Sequence, residues 1–555
     1  MPCLRAFGTA ALLALLGFAV AGAAAPMSAQ QQPKFYPDDP LAREPETQDA
    51  SGAQEWDVGL AADLLLNLFT VQGDTATDVR AQNINTIDEV PDSSWFTNRI
   101  YAAPVTADEI ARGPNTTGGP APGRWMLIRP KSSGVSPGFT VRDEQGEVWF
   151  ITFDGEKNPV APTAAIMVAT KLFWALGYNQ IESHLTTIRP EDVTIAETET
   201  IRRHGKRRPF TRKDLDAVFR RAARSPDGSY RAVAGRAVPG RVIGPFRYHG
   251  TRPDDPNDIV PHEHRRELRA LQVFGAWTNL VDMKAGNTLD TVITRNGRGI
   301  VRHYLQDVGS TFGTGALAPR DGDEGHEFLY EGRPLVRRLL TLGFFVLPWQ
   351  TMRYVEHPEI GRFDGDHFDP EDWRPRVPVA ALRHARPDDT FWAALRVTAF
   401  SDEGIRAAVQ AGGYTDPAAE QLLADVLIKR RDTIGRVYFA GVNPLVRFAL
   451  DEGGALTFEN PALTGPAGNA APKGYQAAWH QFDNQSRASE PIGAVTTSTT
   501  ARLQAPADLP RSEGAFVRVS VSAVEPPHAA WSVPVDVYFR RDPGKWTLVG
   551  LERLP

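Results

Sequence analysis

The chain of 555 residues is 42% hydrophobic and 23% charged, the balance of an ordinary globular protein with room for two or three domains. Its formal net charge of −6 gives no general case for binding nucleic acid. The single cysteine, Cys3, lies in the first segment, so the rest of the chain can form no disulfide, thiolate nucleophile or cysteine-ligated zinc site.

The first 29 residues have the features of a secretory signal peptide. Arg5 precedes an apolar run from Ala10 to Ala25, and small residues follow up to Ala29. The run is too short and too rich in alanine to indicate a stable membrane span, so we expect cleavage and an exported protein, periplasmic or secreted. Residues 30–55 are polar and rich in proline, glutamine and acidic residues, which is typical of a disordered linker.

After an N-terminal extension over residues 56–123, the pattern predicts strands and then a helix. Strands are expected at Trp125–Ile128, Phe139–Arg142 and Val148–Phe153, and a helix at Thr163–Leu176. A basic insertion at 190–230 precedes two further strands, Tyr230–Ala234 and Val242–Tyr248. Helices dominate from 335 to 439, and short strands separated by turns fill residues 446–555.

The central motif is Asp282–Asn287, which has the spacing D-x-K-x-x-N. A helix from Pro261 to Trp277 leads into it, and Asp307-Val308-Gly309 follows twenty residues later. Between them, the turn Asn296-Gly297 separates two β-prone runs, which is a strong hairpin signal. A polar loop, two strands and a D-x-G motif therefore follow one another.

In this order of elements, residues 124–440 resemble the protein-kinase-like superfamily. The loop at Asp282 resembles that of ordinary protein kinases, while the short Ser/Gly turn before Phe139 looks more like lipid kinases and the atypical HipA and CotH-like bacterial kinases. The resemblance implies an α+β, two-lobed fold with an N-lobe over 124–255 and a helical C-lobe over 256–445. A separate small all-β sandwich over 446–555 lies outside it.

The resemblance also implies roles for the motif residues. Asp282 would orient the acceptor hydroxyl, and Lys284 would offset charge on the transferred phosphate. Asn287 and Asp307 would bind Mg²⁺ or Mn²⁺ together with ATP, since these ions prefer oxygen ligands. The turn after the first strand would hold the phosphates. Its binding residues would be Lys131, Ser132, Ser133, Gly134, Ser136 and Gly138.

Two kinase features are missing from the sequence. The third strand has Thr152 where a kinase has lysine, and the helix Thr163–Leu176 contains no acidic residue to pair with it. Lys131 or Lys157 would have to supply the cation by another route. We therefore expect either a phosphotransferase acting on an unidentified hydroxyl acceptor, or a pseudokinase that binds or scaffolds proteins of the cell envelope. A third class is a non-enzymatic assembly protein that contacts an envelope partner through the C-terminal domain.

Two rival sites are weaker. Gly134–Gly138 matches G-x-S-x-G, but Pro137 lacks the backbone N–H that a hydrolase oxyanion hole needs after its nucleophile. His262-Glu263-His264 lacks the spacing of H-E-x-x-H and is interpreted as a polar helix start.

Overall fold

The structure is a computed structural model that describes residues 32–131, 134–197, 199–203, 206–330, 332–342, 344–464 and 468–553. The signal-peptide prediction for residues 1–29 lies outside the described residues, as do Ser132 and Ser133 of the predicted phosphate turn. Two helices, α1 (Leu60–Phe69) and α2 (Ala107–Arg112), belong to the N-terminal extension.

A six-stranded sheet forms the first lobe. Its elements follow in chain order: β1 (Trp125–Pro130), β2 (Gly138–Arg142), β3 (Val148–Phe153), α3 (Ala161–Leu176), β4 (Ser183–Ile188), β5 (Val193–Ile195), the β6–β7 hairpin (Thr200–Arg203, Lys206–Pro209), α4 (Arg212–Phe219) and β8 (Tyr230–Arg236). The spatial order is β4-β8-β3-β2-β1-β5. Aromatic side chains such as Phe139, Phe153 and Phe219 fill one face of the sheet, so helix α4 of the basic insertion covers its core.

A three-stranded sheet carries the central motifs. It consists of β9 (Arg241–Gly244), β10 (Thr288–Arg295) and β11 (Arg298–Leu305), in the order β11-β10-β9. The Val242–Tyr248 strand was predicted to belong to the first lobe, but its strand residues pair with Asp290–Val292 of β10. The reason is that β8 already has β3 and β4 as neighbours, so no edge of β8 is free for β9.

The helix predicted from Pro261 to Trp277 is interrupted. A 3-10 turn over His262–His264 precedes α5 (Arg266–Arg269) and α6 (Leu271–Thr278). The helical lobe continues with α7 (Gly332–Leu340), α8 (Pro348–Thr351), α9 (Ala380–Arg383), α10 (Pro387–Thr398), α11 (Asp402–Gln410) and α12 (Pro417–Tyr438). Across the described ranges, no helix is long and apolar enough to cross a membrane.

The C-terminal region is built from strands: β12 (Val446–Leu450), β13 (Ala455–Glu459), β14 (Gly474–Phe482), β15 (Ser489–Pro491), β16 (Thr496–Ser498), β17 (Arg502–Gln504), β18 (Phe516–Val524), β19 (Val535–Asp542) and β20 (Lys545–Arg553). One sheet has the order β12-β13-β17, the other β15-β14-β18-β19-β20 with β16 also on β14. The predicted α+β class with a β-rich C-terminal part is therefore confirmed.

This β region shares its core with the helical lobe. The indole N–H of Trp531 donates to the carbonyl of Phe439 over 2.9 Å, and the Arg553 guanidinium lies 4.4 Å from the ring centre of Phe391. Both groups are buried, so the β region and the helices exclude water from the same interior.

Residues 32–55 also pack against the body of the protein. Phe35 is buried against Tyr538, with ring centres 5.1 Å apart, and the Ala50 N–H donates to the carbonyl of Gly299 over 2.9 Å. This packing differs from the linker interpretation of residues 30–55.

A buried network of charges joins the extension to the helical lobe. The fully buried guanidinium of Arg266 lies 2.8 Å from carboxylate oxygens of both Asp88 and Asp388, and 2.9 Å from Asp389. The neighbouring polar run is part of the same interior, since His264 lies 3.0 Å from Asp74. The residues interpreted as a polar helix start, His262, Glu263 and His264, are therefore internal, where a charge is tolerated only with partners.

Candidate functional site

The loop after α6 holds Asp282 and Lys284 as a pair. Asn279 ends α6 in the left-handed conformation, with φ of 54°, and turns the chain into the loop. The Lys284 Nζ then lies 3.0 and 2.9 Å from the two carboxylate oxygens of Asp282. Both side chains are half-buried, so a substrate could still reach them.

Asn287 connects the two acidic motifs. Its side-chain N–H donates to the Asp282 carbonyl over 2.6 Å, and its own carbonyl accepts from the backbone N–H of Asp307 over 3.1 Å. The second contact follows from the hairpin, because Thr288 pairs with Leu305 and the residues flanking that pair must meet. The structure thus brings Asp282, Lys284, Asn287 and Asp307 to one end of the β10–β11 hairpin.

Asp307 presents an exposed carboxylate at this end. One of its oxygens accepts the N–H of Gly309 over 3.1 Å, which holds the D-x-G turn. The Asn287 amide uses its nitrogen on Asp282, which leaves the amide oxygen as the group that could bind a metal. Carboxylate and amide oxygens are hard ligands that suit Mg²⁺ or Mn²⁺.

Lys131 lies within electrostatic reach of Asp307. Desolvation lowers the pKa of Lys131, Asp307 raises it and Arg221 lowers it further. Arg221 also closes the turn after β1, donating to the carbonyl of Val135 over 2.7 Å. The charges of the predicted cation and the predicted metal ligand therefore influence each other, although Lys131 follows β1 and Asp307 follows β11.

The other described residues of the predicted phosphate turn are Gly134 and Ser136, which lie in the turn, and Gly138, which lies in β2. Gly134 has φ of 81°, a conformation that favours glycine, and a side-chain carbon there would be in ordinary contact with Lys131, 3.6 Å from its Nζ. Gly138 is already in β2, where such a carbon would lie 2.3 Å from the carbonyl oxygen of Ile151. Gly138 is thus required by strand packing, and Ser136 is half-buried at the end of the turn.

Aliphatic and hydroxyl side chains stand where a kinase has its ion pair. Thr152 occupies β3, and Ile166 of α3 approaches the D-x-G turn, where a side-chain carbon on Gly309 would lie 2.7 Å from the Ile166 Cγ1. Neither β3 nor α3 has an acidic residue, so these two elements form no ion pair with each other.

Arg231, which sequence reasoning missed, links the two lobes through its guanidinium. Arg231 of β8 lies 3.7 Å from the buried Asp154 and donates to the carbonyls of Gly412 and Gly413 over 2.6 and 2.5 Å. Burial raises the pKa of Asp154, although Thr163 and Arg231 lower it. No local pattern marks this contact, because it joins residues about 180 positions apart.

A cavity of about 350 Å³ lies in the helical lobe, and its lining includes Asn279, three residues before Asp282. Its lining combines Glu324, Arg320 and Arg430 with the aromatic side chains of Trp349 and Tyr354. Burial raises the pKa of Glu324, and the nearby charge of Asp282 adds to this. A concave site with a few convergent polar groups is the usual form of a small-ligand pocket.

The described part of the chain contains no group of three or more His, Cys, Asp or Glu side chains that could hold a metal alone. Asn287 and Asp307 can supply two oxygen ligands. The residues present thus fit a cation that arrives with nucleotide phosphates as further ligands.

No family model matches the chain, and no curated protein matches it. Two solved structures show a weak likeness. The crystal structure of the Golgi casein kinase with Mn/ADP bound has 10% identity and a TM-score of 0.30, over 60% of this chain and 75% of that chain. A second structure of the Golgi casein kinase has 10% identity and a TM-score of 0.29, over 72% of this chain and 94% of that one. At these values the likeness carries no argument, so the case for function rests on the geometry of the site.

Proposed function

We propose that this chain is a kinase-like phosphotransferase that uses ATP with Mg²⁺ or Mn²⁺. The observation that carries the proposal is the bridging position of Asn287, which contacts both Asp282 and Asp307. Asn287 thereby fixes the spacing between Asp282, which would contact the acceptor, and Asp307, which would bind the metal. Phosphoryl transfer depends mainly on such positioning and on charge stabilisation.

Each residue has a role in this proposal. Asp282 orients the attacking hydroxyl and accepts its proton, while Lys284 leaves its pairing with Asp282 in part to meet the phosphate oxygens. Asn287 and Asp307 hold the cation, which when bound neutralises charge on the phosphates. Lys131 approaches the phosphates from the first lobe, in place of the lysine that β3 lacks.

The setting of the reaction is part of the proposal. In this proposal a hydroxyl acceptor, either a small molecule or a protein side chain, occupies the cavity that Asn279 lines just before the Asp282 loop. The leader-like residues 1–29 support action outside the cytoplasm, and the C-terminal β region offers a surface for an envelope protein.

A pseudokinase is the second candidate, and a specific observation favours it. Thr152 and Ile166 provide no ion pair for the phosphates, and both carboxylate oxygens of Asp282 are engaged by Lys284. A protein with this site could bind partners without turnover. A test for nucleotide binding distinguishes a phosphotransferase from a pseudokinase that binds no nucleotide.

We expect ATP with Mg²⁺ to raise the melting temperature, and Asp307→Ala to abolish that rise. A ligand at 100 times its dissociation constant stabilises the folded state by about 2.7 kcal/mol, which a thermal-shift titration detects. Asp307→Ala removes the exposed carboxylate that would hold the cation on the phosphates. Asp508→Ala, an exposed aspartate of the β region, is the matched control and should keep the full shift. A wild type that shows no shift at millimolar ATP with either metal would favour the pseudokinase.

Lys131→Met is expected to weaken nucleotide binding about tenfold, since a hydrogen bond to a charged group contributes roughly 1.5–3 kcal/mol. The measurement is a titration of the same thermal shift against nucleotide concentration. Lys545→Met, at an exposed hairpin turn, is the control that should leave the affinity unchanged. Equal affinities for wild type and Lys131→Met would remove Lys131 from the proposed site.

A further inference from the structure

The segment 332–355 has an unusual composition. It contains four arginines and no aspartate or glutamate, and most of its other residues are apolar. Such a combination of arginine with leucine and phenylalanine is typical of segments that lie at a membrane surface. In a soluble protein these apolar side chains would be expected to pack inward.

In the structure several large apolar side chains of this segment face solvent. Leu340 is 78% exposed and Phe344 is 88% exposed, at the end of α7 and just beyond it. Arg337, on the same turn of chain, lies over the Phe345 ring at 5.1 Å. The segment therefore presents large apolar groups and a positive charge together.

Helix α1 continues this surface. Leu65 is 54% exposed and Phe69 is 59% exposed, whereas the one charged residue of the helix, Asp63, is buried 3.6 Å from Arg247. The rings of Phe69 and Tyr330, with centres 5.1 Å apart, join α1 to the chain that enters α7. We call this combined surface the apolar ridge, formed by the exposed side chains of Leu65, Leu66, Phe69, Leu339, Leu340 and Phe344.

We propose that the apolar ridge docks on an anionic phospholipid bilayer. Burying the leucine and phenylalanine side chains at the acyl boundary removes them from water, and the arginines attract acidic headgroups. The charge of the segment argues against a second copy of the chain as the occupant. In a two-fold contact each Arg337 would approach the same positive segment of its partner.

Docking in this way would place the catalytic loop beside the bilayer. Leu60, in the first turn of α1, lies so close to Gly286 that a side-chain carbon there would be 3.6 Å from it. Helix α1, which carries three of the ridge side chains, therefore borders the loop that carries Asp282 and Asn287. The membrane proposal goes beyond the proposed function and does not depend on catalysis.

The test uses the full chain with vesicles of phosphatidylcholine alone or mixed with phosphatidylglycerol. Hydrogen exchange reports where the bilayer touches, so binding by the apolar residues 10–25 cannot be mistaken for binding by the ridge. We expect the anionic vesicles to slow exchange in α1 and α7 at least about tenfold, and phosphatidylcholine vesicles to have no such effect.

The double variant Leu340→Glu with Phe344→Glu should lose this protection, and Arg337→Glu should reduce it. Ile259→Glu, which changes a residue that is 79% exposed elsewhere, is the matched control and should keep it. All these side chains are exposed, so the melting temperatures should stay equal.

Unchanged exchange with anionic vesicles would overturn the proposal. So would a wild-type oligomer that the double variant converts to a monomer, because the ridge would then be an interface between copies. The nucleotide-dependent thermal shift should be the same in every variant, which keeps this test separate from that of the proposed function.

Discussion

Replacing Asp282 with asparagine is expected to lower the rate of phosphotransfer by about 10²–10⁴-fold, the usual contribution of a positioned general base. Asparagine keeps the size of the side chain but cannot accept the hydroxyl proton or pair with the Lys284 ammonium. The backbone carbonyl of Asp282, which accepts from Asn287, is unchanged by the substitution. The metal ligands should therefore keep their positions, and the loss should fall on kcat.

The measurement is the transfer of phosphate from labelled ATP to water or to an acceptor, together with the thermal shift given by ATP and Mg²⁺. We expect Asp282→Asn to lower turnover by this factor and retain the shift, because Asn287 and Asp307 remain. Asp508→Asn should retain both. A rate that Asp282→Asn leaves unchanged would show that the measured activity comes from another site or another protein.

The largest effect on stability is expected from Arg266→Met. Burial alone would lower the pKa of this guanidinium, but Asp88, Asp389 and Asp388 raise it well above its ordinary value. Methionine has a similar length but no charge, so three buried carboxylates lose a shared partner. Removing one member of a buried ion group costs about 3–5 kcal/mol.

Urea unfolding followed by tryptophan fluorescence measures this loss as a lower midpoint. Arg406→Met is the matched control, since Arg406 pairs with Asp425 over 3.1 Å while both side chains are about half exposed. Such a surface pair contributes about 1 kcal/mol or less. If the two variants unfold at the same urea concentration, the buried network does not stabilise the native state as proposed.

Local signals in the sequence predicted the central hairpin well. Asn296 and Gly297 have φ of 51° and 77°, the positive values that a tight hairpin turn needs. The turn fixes the pairing of β10 with β11, and that pairing returns Asp307 to Asn287. The meeting of the two motifs could therefore be predicted because its cause lies within about 25 residues of chain.

Contacts between distant residues could not be predicted in the same way. Val242 has the β propensity of a strand, but only the free edge of β10 decides which sheet it joins. In the sequence Arg266 resembles an ordinary charged residue at the start of a helix. Its burial depends on Asp88 of the N-terminal extension and Asp388 of α10. The same holds for Lys131 and Asp307, since each pattern was visible but their proximity depends on how the two sheets pack.

The packing of Phe35 has a consequence for the order in which the molecule is completed. The backbone N–H of Phe35 donates to the side chain of Asn484, 449 residues further along, and Lys34 pairs with Glu552. Synthesis proceeds from the amino end, so Lys34 and Phe35 have no native partner in the β region until residues 484–552 have been made. Their docking is therefore a late event in assembly. A chain cut short before β19 would keep Asn484 but lack Tyr538 and Glu552, so Phe35 and Lys34 would lose their ring contact and their ion pair.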